Sequence, residues 1–123
     1  MTLKDFLISV KAKFPNAANE LILAAANDLE EKISSELLSP AGLMGREKPL
    51  DLVDTDTQLL LANEDAFLYE AYVFSILALD EKDFTLSDAY SAVFNSRFDY
   101  LAVKFRKGNT PNKSTRITGG MFI

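Results

Sequence analysis

The chain contains no cysteine, no histidine and no tryptophan. Without cysteine, no disulfide framework holds the fold together. Without histidine there is no imidazole acid–base chemistry and no Ser–His–Asp set; with thiolate also missing, zinc sites built on His or Cys are excluded. Long apolar runs are missing as well. The longest, AFLYEAYVFSILAL at 66–79, spans 14 residues and contains Glu70, too short for a bilayer and suited to a buried core helix. The opening MTLKDFLISVKAKF lacks the uncharged core and small-residue cleavage site of a signal peptide. A cytosol-like compartment is the expectation.

Acidic residues are missing from one part of the chain only. All 18 lie at or before Asp99, so residues 1–103, with eight basic residues, carry a net charge of −10. Residues 104–123 carry +5, from Lys104, Arg106, Lys107, Lys113 and Arg116. An acidic body argues against wrapping nucleic acid, which needs a basic face. The basic stretch closes on Met121, Phe122 and Ile123. A polar, basic segment with an apolar tip is expected to be a docking arm.

Hydrophobic residues make up 48% of the 123 residues, enough for one domain with a real core. Leu3, Phe6, Leu7, Val10 and Phe14 follow the spacing of one helical face. Thr2 and Asp5 resemble a capping box, Pro15 ends the helix, and Asn16 is placed to cap the next. That second helix is expected over 16–38, with Leu21, Ile22, Ala25, Leu29, Ile33 and Leu37 as its stripe. Glu20, Asp28, Glu30, Glu31 and Glu36 are expected mostly elsewhere. Residues 39–62, broken by two prolines and two glycines, predict a loop or β-hairpin excursion standing off a helical body. A third helix over 63–79, apolar on almost every side, is expected to be central. After a polar turn at 80–83, Thr85 and Asp88 repeat the capping arrangement. A fourth helix runs over 86–107, with Ala89, Tyr90, Val93, Phe94, Phe98, Leu101 and Phe105 inward and Gly108 as its stop. The fold class is all-α: a small four-helix domain of two hairpins over 1–107, with an extended C-terminal arm at 108–123.

Two acidic features invite chemistry. Asp54, Asp56 and Gln58 begin a calcium-like spacing, but Leu59 stands where glycine is required and Asp65 where glutamate is. A solvated acidic loop is the better account, so no metal and no cofactor are expected. Glu70 is expected to pair with Arg97 on the facing helix. TGG at 118–120 lacks the Lys and Ser/Thr of a phosphate loop. No catalytic residue set emerges, and the chain reads as a binding or assembly module without enzymatic activity.

The order of parts resembles a known family. Two helices with an acid-rich second come first, then a loop-rich excursion, then the aromatic-rich pair NEDAFLYEAYVFSILALDEKDFTLSDAYSAVFNSRFDYLAVKFRK, then a polar tail. Leu68–Tyr69–Glu70–Ala71 and the face of Tyr90, Phe94 and Phe98 carry the similarity. This is similar to the head–tail connector, or adaptor, proteins of tailed bacteriophages. The resemblance implies a homo-oligomeric ring, commonly of twelve copies, under the portal protein. Such a ring extends the channel through which genomic DNA passes without specific binding, and it offers the tail protein an attachment surface. It implies a virion neck location after synthesis in the host cytoplasm, with no membrane role. The arm, through Lys104, Arg106, Lys107, Lys113, Arg116, Met121, Phe122 and Ile123, would grip the portal. The alternative is a small helical regulatory protein whose basic tail contacts nucleic acid or an acidic partner.

Overall fold

The computed structural model describes residues 1–107, the side chain of Asn63 excepted. Four α-helices account for most of them: α1 (Leu3–Lys13), α2 (Asn19–Ile33), α3 (Phe67–Asp80) and α4 (Phe84–Arg106). The all-α class is therefore what the chain adopts. No described helix is long and apolar enough to cross a membrane.

Helix α1 begins as its sequence dictates. The Thr2 hydroxyl accepts from the Asp5 amide at 3.2 Å. The next orphan amides find partners far away in sequence. Leu3 donates to the Thr57 carbonyl at 2.9 Å and Lys4 to that of Thr55 at 2.8 Å. A helix start leaves four N–H groups unpaired; here a distant loop supplies acceptors for two. Leu3, Phe6, Val10 and Phe14 are buried. At the corner, Asn16 does not cap. Helix α2 opens at Asn19 without a side-chain cap, because Pro15 to Ala18 are used in turning the chain.

Helix α2 continues through a π-helical turn at Ser34–Leu38 and a 3-10 turn at Ser39–Ala41. Gly42, at φ +78°, stops it in the left-handed region. The expected stripe holds except at one position: Ile22, Ala25, Leu29, Ile33 and Leu37 are buried, and Leu21 is half-buried. Glu30 departs from the expectation, because it is buried too.

Residues 39–62 do not stand off the body, and among the described residues they form no hairpin. Their one β-type pairing is an isolated antiparallel bridge between Thr2 and Gln58. Leu50, Leu59 and Leu61 reach into the core. The Asn27 side chain brackets Leu50, accepting from its N–H at 2.7 Å and donating to its carbonyl at 3.1 Å. Gly45 passes so close to Ser34 that an added Cβ would clash with its side chain. The segment is a strap across α2 and the start of α1.

Helices α3 and α4 form the antiparallel hairpin at the centre, joined through Glu81 to Asp83. The register is set by aromatic pairs: Phe74 meets Tyr90 at 5.3 Å between centroids, and Tyr72 meets Phe94 at 5.0 Å. Helix α1 joins through Phe6 on Tyr69 and Phe14 on Phe74. Helix α2 packs more on α3 than on α1, so the first two helices are less a hairpin of their own than a cover for the central pair. Asp83, not Thr85, caps α4, accepting from Leu86 N at 3.1 Å. Starting at Phe84 brings Ser87 to the Ser75 carbonyl at 2.8 Å, and the aspartate complements the helix dipole. On α4 the inward set is Phe94, Phe98, Leu101 and Phe105, with Tyr90 half-buried; Ala89 and Val93, expected inside, are exposed.

Candidate functional site

The arm residues divide at the end of α4. Lys113, Arg116, Met121, Phe122 and Ile123 lie outside the described residues. Lys104, Arg106 and Lys107 lie in the last turn or at its cap. Arg106 and Lys107 are exposed. Lys104 is occupied otherwise. Its Nζ lies 3.7 Å from Oδ2 of Asp65, a buried carboxylate oxygen with no hydrogen-bond partner. Lys104 is thus the counter-charge that makes this burial tolerable.

Beside that turn runs a half-open groove of about 520 Å³. Leu38, Leu43, Met44, Leu59, Leu61 and Phe105 line most of it, and Gln58 is its one polar side chain. The strap forms one wall and α4 another. Met44, on the rim, is 81% exposed.

Helix α4 also carries an outer stripe. Ala89, Val93, Ser96, Tyr100 and Val103 are all exposed and recur at alternating steps of four and three, the spacing of a helix–helix seam. Tyr100 is 58% exposed and Val103 40%. Asp99, Arg97 and Lys104 flank the stripe. Arg97, expected on Glu70, instead lies over the Tyr100 ring at 5.5 Å. Glu70 accepts from Ser9 of α1. The reason is geometric: Glu70 is two residues before Tyr72, about 200° round the helix, so the side that meets Phe94 is not its own.

The most polar interior feature is centred on Glu30. Its carboxylate accepts from Arg46 Nε at 2.6 Å and Nη2 at 3.3 Å, from the Leu60 amide at 2.8 Å, and from Tyr69 Oη at 2.6 Å. Arg46 Nη2 also donates to the Gln58 carbonyl at 2.5 Å. Burial first, and Glu30's charge second, push the Tyr69 phenol far above its ordinary range. A cleft of about 320 Å³ opens outside this ion pair, rimmed by Asp28, Glu31, Glu47 and Lys48. The network ties α2, the strap and α3 together, and all four of these hydrogen bonds to Glu30 serve that. A signal for it existed in sequence. Glu30 is four residues after Ala26 and three before Ile33, which places it at the edge of the buried stripe.

In the strap, the Asp51 side chain serves its own turn, accepting from Val53 N at 3.0 Å. Among the described residues no three metal-ligating side chains come together.

No protein-family model matches the chain, and no curated protein or solved structure matches it.

Proposed function

We propose that this chain is a structural assembly protein, a head–tail connector of a tailed bacteriophage. Copies form a homo-oligomeric ring of twelve under the portal protein, extend the DNA channel and give the tail protein its attachment surface. The observation that carries the reading is the outer stripe of α4. This 23-residue helix has one apolar face covered by α3 and a second stripe, at seam spacing, that the described residues leave open. A lateral contact between copies uses a face of this kind.

Two features support the reading from charge. The body, at −10 over residues 1–103, lets DNA slide past without adhesion. Exposed Arg106 and Lys107 begin a basic stretch that continues through Lys113 and Arg116, suited to steering the arm onto an acidic portal face.

The test is sedimentation of the purified chain with and without portal protein, beside Val93→Glu and Tyr100→Glu. The wild-type chain assembles into a ring on the portal; both variants keep their helical content and fail to assemble. Purified virions contain the chain at about the portal's copy number. Absence from virions, or seam variants that assemble like wild type, would overturn the reading. Capture of nucleic acid by the basic stretch would favour a regulatory protein instead.

A further inference from the structure

The outer stripe of α4 is one half of a helix–helix seam, and the described residues do not supply the other half. We infer that a second copy of this chain supplies it: in the absence of any other partner, two copies pack α4 against α4 antiparallel, about a two-fold axis between Val93 and Ser96.

Charge fixes the direction. The turn before α4 and its first turns are acidic. Asp80, Glu81, Asp83 and Asp88 are exposed there, and Lys82 is the only basic residue among positions 80–88. The far end is basic. No acidic residue lies between Asp99 and Lys107, and Arg106 and Lys107 are exposed, while Lys104 is held by Asp65. Two antiparallel copies bring each basic end beside the other's acidic end, once at each end of the seam. Parallel copies would set like charge on like charge.

Packing fixes the register. Half-buried Leu86 extends the stripe by one further step of three before Ala89. With Val93 opposite Ser96 of the second copy, Ala89 falls opposite Tyr100 and Leu86 opposite Val103. Each larger side chain then meets a smaller one, the alternation that lets facing layers interdigitate. In a parallel pair Ala89 would face Ala89 and Tyr100 would face Tyr100, a gap in one layer and crowding in another.

Both copies use the same face, so the pair is isologous and closed, and it does not grow. The inference rests on the reading of this stripe as a contact between copies. To that reading it adds a resting state of the free chain, which ring assembly has to open. It does not require the portal.

The absence of cysteine makes the test direct. Full-length Ala89→Cys and Tyr100→Cys chains are mixed in equal amounts, without portal protein, and mildly oxidised. Both positions are exposed, so neither change touches the core. Antiparallel pairing brings position 89 to position 100 of the second copy. It separates the two copies of position 100 by about 16 Å along the helix, at a rise of about 1.5 Å per residue. A disulfide needs Cα atoms within about 7 Å. The mixed crosslink is therefore expected to form roughly tenfold faster than either like-with-like crosslink, and the excess is expected to shrink as salt screens the helix ends. The wild-type chain alone is expected to sediment as a dimer and Val93→Glu as a monomer. A like-with-like crosslink as fast as the mixed one would overturn the inference, and so would a wild-type chain that sediments like Val93→Glu. Neither result touches the connector reading, which stands or falls on assembly with the portal and on presence in virions.

Discussion

Glu30 on α2 and Arg46 in the strap, sixteen residues apart, form an ion pair with Nε to Oε1 at 2.6 Å, the carboxylate buried and the guanidinium half-buried. The pair sits where the strap crosses α2, and Tyr69 and the Leu60 amide complete the carboxylate's partners. This makes one acidic side chain responsible for holding the strap, α2 and α3 in register.

Removing the carboxylate leaves a half-buried guanidinium with only the Gln58 carbonyl as acceptor, and the Leu60 amide and Tyr69 hydroxyl without theirs. Glu30→Ala is expected to lower stability by roughly 3–5 kcal/mol, read as a shift of the denaturation midpoint. Glu30→Ala combined with Arg46→Met is expected to recover part of that loss. A double variant no more stable than the single would show that Arg46 does not depend on Glu30.

Tyr69 makes a specific prediction about alkaline pH. Burial and Glu30 raise its folded pKa above the ordinary 10.0. A raised folded pKa favours the protonated form in the fold. Its contribution is complete below about pH 10 and is lost as pH rises above that value, where only the unfolded chain ionises. Melting temperature is expected to fall more steeply from pH 9 to 11 in wild type than in Tyr69→Phe. The variant starts lower at pH 7 by about 1 kcal/mol, the usual worth of one hydrogen bond. Parallel curves would remove Tyr69 as the cause.

Lys104 and Arg106 are two residues apart and are expected to behave differently. Lys104→Met strands the Asp65 carboxylate and is expected to destabilise the fold by about 1–3 kcal/mol; Asp65→Asn in the same chain restores most of it. Arg106→Ser is expected to leave thermal stability unchanged and to slow association with an acidic partner, less so at high salt. The paired measurements are a thermal melt and an association rate. Equal melts for the two variants would remove Lys104 from the core.

On the connector reading proposed above, the arm makes two separable contributions. Deleting residues 108–123 is expected to leave a stable helical body and to weaken docking sharply. Phe122→Ala is expected mainly to speed dissociation from the portal, at a cost on the order of 2 kcal/mol. Lys113→Ser with Arg116→Ser is expected mainly to slow association, with the defect shrinking as salt rises. Binding kinetics read both. Unchanged rates after the deletion would leave the segment without a docking role.

Periodicity alone determined the four helices, the central place of the aromatic pair and the buried stripe of α2. Apolar residues at helical spacing have no other way to leave water together, and Pro15, Gly42 and the turn at 80–83 leave few places to stop. The charge split and the exclusion of thiol and imidazole chemistry were equally plain from residue identity. What only the tertiary structure decided were partnerships between distant residues. Strap residues 39–62 lack periodicity, so nothing local announces that Leu50, Leu59 and Leu61 are core. They become so because Asn27 and Glu30 supply polar partners across α2. Glu30 was legible as an edge position but not as a hub, since burying a carboxylate is favourable only once Arg46, Tyr69 and the Leu60 amide converge on it. Glu70 and Arg97 looked paired along the chain and are not, because helix rotation, set by the packing of Phe14, Phe74 and Tyr90, turns one toward α1 and the other toward solvent. Val93 and Ala89 satisfy an apolar pattern yet stay outside: α3 and the turns that end α2 pack on α4 and leave these two residues exposed.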